Sequence, residues 1–179
     1  MVKIAVFVGS LQKESLNKKL AKTLEKLAPK SMEFMYVDIQ LPLFNQDMES
    51  DYPYEARKAK DVVEAADGVL FVTPEYNRSI PGVLKNAIDW VSRPWGDNSF
   101  DGKPVGLAGA SIGPVGTAVS QSDMRHVVAF LNMKLMAQPE VYVANATDLF
   151  SNDEVVDERW KKNLEQYIQA FSTWVEENK

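Results

Sequence analysis

Short β-rich apolar runs and longer stretches with a helical apolar stripe alternate along this chain from its first residues to its last. That order constrains the fold more than any other feature, because strand, helix, strand in succession is the pattern of a parallel sheet with crossover helices on its faces. Val2 to Val8 (VKIAVFV) reads as a first strand. Leu16, Leu20, Leu24 and Leu27 then recur at helical spacing, and Pro29 stops that helix. Met32 to Asp38 alternates and reads as strand two. After an irregular stretch, 39–52, and Pro53, the residues Ala56, Ala59, Val62, Val63 and Ala66 form a stripe on a helix that Gly68 is expected to close. Val69 to Thr73 (VLFVT) is continuously apolar, as a central strand buried on both faces requires.

Leu84, Ala87, Ile88 and Val91 mark a third helix, Val105 to Ala110 a fourth strand, and Val127 to Leu131 a fourth helix. Val141 to Ala144 reads as strand five, and Trp160, Leu164, Tyr167, Ile168, Phe171 and Val175 share one face of a last helix. Five strands and five helices in alternation suit a doubly wound α/β sheet in a three-layer sandwich, its hand set by right-handed crossovers. With 179 residues the chain fits a single domain, 1–179, since one core commonly holds about 100 to 200 residues.

Composition removes several kinds of function. No cysteine is present, so disulfides, thiolate catalysis, Fe–S clusters and Cys-ligated zinc are excluded, and redox chemistry has to come from a cofactor. The one histidine, His126, reads as an ordinary helix residue, and one histidine is too few for a metal cluster; no metal is expected. A net charge of −5 argues against nucleic acid and against an anionic membrane surface. The apolar run at 2–8 is too short for a spanning helix or a signal segment, so a cytoplasmic protein is expected.

In doubly wound sheets ligands gather outside the carboxyl ends of the strands, which directs attention to the loops after strands one, three and four. The first, Gly9 to Asn17, reads GSLQKESLN and leads into a helix with Ser15 at its N-cap position. Unpaired N–H groups and the positive end of the helix dipole favour an anion there, and Ser10, Ser15 and Asn17 add short side-chain donors suited to a phosphate monoester. An ordinary βα turn with a serine cap gives the same residues. Neither G-x-G-x-x-G nor G-x-x-x-x-G-K-[ST] is present, which goes against a Rossmann dinucleotide grip and against nucleoside triphosphate hydrolysis.

The second loop opens TPEYNRSIPGVLKNAIDWVS, from Thr73 to Ser92. Pro74 and Pro81 bracket a segment displayed at a strand end, where a flat apolar ring could lie against Tyr76 while the Asn77 amide reads its polar edge. As composition alone, this segment could also be a turn.

This stretch resembles the signature of the NADPH-dependent FMN reductase family, a flavodoxin-like group that includes quinone, chromate and azo-dye reductases. GSLQKESLN is similar to the phosphate loop of the same family, and the resemblance covers nearly the whole chain. It implies a flavodoxin-like five-stranded sheet of order 2-1-3-4-5. It also implies FMN, with the phosphate on Ser10, Leu11, Gln12, Ser15, Leu16 and Asn17 and the ring against Pro74, Glu75, Tyr76, Asn77 and Arg78. Ser111 and Gly113, in ASIGPVG after strand four, close the site, and Glu75 is expected to anchor its loop rather than act as an acid.

Under this resemblance the chemistry is the flavin's, and no catalytic side chain is expected. NADPH or NADH reduces the flavin and leaves before a small electron acceptor enters, which predicts ping-pong kinetics with quinones, azo dyes, metal oxyanions or free flavin. A flavodoxin-type electron carrier is the alternative. A hydrolytic domain is disfavoured by the lack of a G-x-S-x-G elbow. Family members often carry Arg where this chain has Gln12, and GGxR where it has Gly116, Thr117, Ala118 and Val119. A homodimer or homotetramer is expected from the resemblance and from Trp95 and Phe100, read as exposed apolar residues.

Overall fold

A computed structural model describes residues 1–151 and 154–179. Five parallel strand positions make the sheet: β1 (Val2–Val8), β2 (Met32–Tyr36), β3 (Gly68–Val72), β4 (Pro104–Ala110), and a last position shared by β5 (Lys134–Leu135) and β6 (Val141–Val143). Their order is β2-β1-β3-β4, with β5 paired to Pro104 and Val105 and β6 paired to Ala108, Gly109 and Ala110. The expected 2-1-3-4-5 order therefore holds, with the fifth strand broken in two. The ladder continues one residue past β5, where the Met136 N–H donates to Val105, and then enters a stretch containing Pro139, which has no N–H to give.

The helices are α1 (Leu16–Leu27), α2 (Tyr54–Glu64), α3 (Gly82–Val91), α4 (Ala118–Phe130) and α5 (Glu158–Asn178). Alternation along β1 divides the core between two layers. Val2, Ile4, Val6 and Val8 pack with Leu20 and Leu24 of α1 and with Leu164, Ile168 and Phe171 of α5. Ala5 and Phe7 pack on the other face with Val63 of α2, Leu84 and Ile88 of α3, and Met124 and Val128 of α4. Strands β1, β3 and β4 are buried almost throughout, which explains why they read as unbroken apolar runs.

Some boundaries differ from the sequence reading. Gly68 does not close α2; the helix ends at Glu64, and Gly68 opens β3 opposite Ile4. Val175 of α5 packs so closely over Gly68 that a Cβ there would lie 2.9 Å from its side chain. Strand two ends at Tyr36, although the Val37 N–H still donates to Val6. A small antiparallel pair, β7 (Phe150–Ser151) and β8 (Glu154–Val155), escapes sequence reading because two residues are too few to show a period. Phe100 is the largest correction. It is fully buried, its ring centroid 5.8 Å from Phe7 and 6.0 Å from Phe71, whereas Trp95 is 77% exposed.

Candidate flavin site

The loops after β1, β3 and β4 converge at the carboxyl edge of the sheet. They enclose a groove of about 310 Å3 lined by Ser10, Gln12, Ser15, Leu16, Asn17, Pro74, Glu75, Tyr76, Ala110, Ser111 and Ile112. A second hollow of about 290 Å3 adjoins it through Glu75, Ser111 and Ile112, and adds Asn77, Arg78, Gly113, Pro114, Val115 and Gly116. Twelve of the thirteen residues named from the sequence line one or both. Leu11 lies instead on a separate groove beside β2.

The start of α1 is capped by its own serine, so the unpaired N–H groups expected there are largely taken within the chain. Ser15 caps the helix, its Oγ accepting from the N–H groups of Asn17 at 3.2 Å and Lys18 at 3.3 Å. Its own hydroxyl proton remains available to a ligand. The Asn17 side chain is used differently from the donor role read in the sequence. Its Nδ2 donates to the Ala110 carbonyl at 2.9 Å, and its Oδ1 accepts from the Ala110 N–H at 2.9 Å. This reciprocal pair clamps the first turn of α1 to the end of β4, so Asn17 sets the spacing of two walls of the groove.

After β3 the chain makes a tight two-residue turn. Tyr76 and Ser79 exchange N–H···O bonds of 3.2 and 3.0 Å, and Asn77 (φ 51°) and Arg78 (φ 62°) are both left-handed. Asn adopts this region readily, but a long side chain there costs roughly 1 kcal/mol. Two contacts to α4 hold the turn. Ser79 donates to Asp123 Oδ2 at 2.7 Å, and Glu75 Oε2 accepts from the Val119 and Ser120 N–H groups at 3.0 and 3.2 Å. Glu75 thus caps α4 in place of Thr117, which offers no side-chain cap, while its Oε1 takes Arg78 at 3.0 Å.

Arg78→Gly is expected to raise stability by about 0.5–1 kcal/mol, because it removes the left-handed strain and loses only an ion pair whose Arg side is mostly exposed. Urea unfolding measures it. A fall in midpoint would show that the pair outweighs the strain.

Above the β4 end, Ser111 Oγ accepts from the Gly113 N–H, and the Gly113 carbonyl accepts from Asn145 at 3.1 Å, tying the loop to the segment after β6. Gly116 is left-handed (φ 66°), and a Cβ there would lie 3.0 Å from the Tyr142 backbone. Sequence reading missed Ile112 and Val115, which are exposed apolar residues beside the groove. The available signal was two large apolar side chains inside an otherwise small and polar loop.

Serine hydroxyls and a helix start at one end, with Pro74, Tyr76 and Ile112 at the other, fit a phosphate monoester joined to a flat apolar ring. Glu75 is the one charged residue in the lining of the first groove among the described residues, so any phosphate there is met by neutral donors and the dipole of α1. Lys13 lies outside the linings of both hollows.

The family model of NADPH-dependent FMN reductases matches residues 2–148, from β1 through the loop that packs behind Ser111. The chain belongs to the NADPH-dependent FMN reductase family. It is 48% identical over 180 residues to a 2-hydroxy-1,4-benzoquinone reductase of a Burkholderia species, covering 99% of this chain and 98% of that one. It is 42% identical over 178 residues to a quinone reductase of Pseudomonas putida, covering 98% and 96%. Among solved structures, the flavoenzyme NAD(P)H:(acceptor) oxidoreductase FerB of Paracoccus denitrificans superposes with a TM-score of 0.95 at 42% identity over 99% of both chains. A larger hollow of about 670 Å3 lies against α3 and α4.

Proposed function

We propose that residues 1–179 form one FMN-binding domain that oxidises NADH or NADPH and reduces a small acceptor, a quinone above all. The observation that carries this reading is the carboxyl-edge groove, in which a capped helix start and an apolar end meet across Ala110. When bound, FMN supplies the two-electron chemistry. Overall, NAD(P)H and a proton convert a quinone to its hydroquinone, and NAD(P)+ is released.

The chain's own residues bind and orient. Ser10, Ser15 and Gln12 offer side-chain donors to the phosphate at the positive end of the α1 dipole. Asn17 fixes the distance between that turn and β4. The turn at 76–79 places backbone groups and Asn77 beside the second hollow, and Tyr76, Ile112 and Val115 keep water from the ring. Quinone is favoured as acceptor because relatives at 48% and 42% identity are named for quinone reduction, names that also weigh against an electron carrier.

The test is direct. The purified protein is expected to carry or take up FMN, to release FMN and not FAD on denaturation, and to consume NAD(P)H and 1,4-benzoquinone in equal amounts. FMN-loaded protein that fails to oxidise either dinucleotide would sink the reading.

We also propose a cytoplasmic homodimer or homotetramer without nucleic-acid or membrane partners. No helix among the described residues is long and apolar enough to cross a membrane. Trp95 and Phe130, 77% and 74% exposed, flank the α3–α4 hollow, and their burial against another copy would remove apolar surface from water. Wild-type protein is expected to sediment as a dimer or tetramer at micromolar concentration, and Trp95→Glu with Phe130→Glu to reduce it to a smaller species. A wild-type monomer at that concentration contradicts the assembly.

A further inference from the structure

A separate groove of about 360 Å3 lies between the β1–α1 loop and the end of β2, and Ser10 lines both this groove and the candidate flavin groove. The two grooves therefore adjoin at Ser10. Buried Val8, Val37 and Ile39 contribute apolar surface to it. Tyr36 supplies an aromatic wall already held in place: its hydroxyl donates to Glu25 Oε2 at 2.9 Å, and the Lys22 ammonium lies 4.2 Å from its ring centroid. Burial, reinforced by the Glu25 carboxylate, pushes the phenol pKa well above the ordinary range, so the hydroxyl stays protonated.

Lys18, Asp38 and Gln40 add polar groups to the lining. Lys18 carries an ammonium with no carboxylate partner among the described residues. Asp38 accepts from the Gln40 N–H at 2.9 Å through one oxygen and keeps the other unpartnered among the described residues. An aromatic face stacks a base, an ammonium meets a phosphate, and a free carboxylate oxygen accepts from ribose hydroxyls.

We infer that this groove receives the adenosine half of NADH or NADPH, with adenine against Tyr36, ribose hydroxyls at Asp38 and the pyrophosphate near Lys18. The inference rests on the reductase reading above and adds to it a second binding site on the same chain. The nicotinamide half lies toward the loops after β3 and β4, and Ser10 and Leu11 form the ridge between the two halves.

The first test is titration of the purified protein with 5′-AMP while amide and aromatic resonances are recorded. Shifts are expected at Tyr36, Lys18 and Asp38, and Tyr36→Leu should weaken 5′-AMP roughly tenfold, the scale of base–aromatic stacking. In kinetics the same variant should raise KM for NADH and NADPH by a similar factor with kcat nearly unchanged. Reduced nicotinamide mononucleotide, which lacks the adenosine, should reduce variant and wild type alike. Lys18→Gln should repeat the pattern more weakly.

Absence of 5′-AMP shifts at these residues, or an unchanged KM in both variants, overturns the inference. An equal loss with the mononucleotide overturns it too, since Tyr36 would then serve the fold or the flavin. Failure of the reductase reading shows differently, as a wild type that binds no FMN or oxidises no NAD(P)H, and it removes this inference with it.

Discussion

Gly109→Ala is expected to lower stability by about 3 kcal/mol or more and to abolish FMN binding with it. Gly109 sits in β4 opposite Tyr142 of β6, at the point where three chain segments meet. A methyl group there would fall well inside contact with Thr117 Oγ1 and with the Thr73 carbonyl oxygen, and 2.9 Å from Thr117 Cβ. Neither neighbour can easily give way. The Thr73 N–H is bonded to Ala108 at 2.9 Å, which fixes its peptide in the sheet, and Thr117 Oγ1 accepts from buried Gln121 Nε2 at 2.8 Å.

The consequence reaches the site because both neighbours lead into it. Thr73 precedes Pro74 and Glu75, and Thr117 precedes the turn of α4 that Glu75 caps. Gly82→Ala is the control. A Cβ at Gly82 meets nothing within 4 Å, and alanine is the better helix former, so this variant should gain about 0.5 kcal/mol. Urea unfolding, with equal slopes in both variants, measures the contrast. A Gly109→Ala protein within about 1 kcal/mol of wild type would mean that β4 can move away from α4, contrary to its packing.

The layers were legible because each strand and helix declares its buried face in its own residues. Val69 to Thr73 reads as a central strand, and Leu20 and Leu24 as a core stripe, with no knowledge of what covers them. The broken fifth strand was less legible, since Lys134–Leu135 is too short to show a period and only its pairing with Pro104 and Val105 identifies it. Trp95 and Phe100 show the limit most plainly. Both are aromatic residues in a polar segment, and their opposite fates depend on whether Phe7 and Phe71 lie within reach.

The site divides in the same way. Ser15 at the start of α1 is a local signal, legible from its place before the helical stripe. The Asn17 amide, by contrast, meets Ala110 across 93 residues of sequence, and the Glu75 carboxylate meets Val119 across 44, so their partners emerge only from the fold. Residue type told that these side chains are polar and placed at strand ends; topology decided which backbone groups they hold.

Glu75→Ala is expected to slow reduction of the bound flavin by roughly 10²-fold, the scale of loss that follows a displacement of about 1 Å in a positioning element. The carboxylate is 7% exposed and joins two elements: through Oε2 the first turn of α4, and through Oε1 the turn that carries Asn77 and Arg78. Its removal leaves two helix-start amides uncapped, which costs about 1 kcal/mol, and frees the turn except for the Ser79–Asp123 bond. Stability should therefore fall modestly while reduction falls strongly. Glu75→Gln decides between anchoring and acid catalysis. An amide keeps one carbonyl oxygen for the Val119 and Ser120 N–H groups and sets its NH2 against Arg78, so an anchor should retain most of its effect, with the lost Arg78 pair as the remaining defect. A proton donor would be lost as fully in Gln as in Ala. Stopped-flow reduction by NADH, read beside amide exchange at Val119 and Ser120, gives both answers on the same samples. Equal loss of reduction rate in the two variants, with α4 of the Gln variant protected as in wild type, would make Glu75 a participant in proton transfer and overturn its assignment as an anchor.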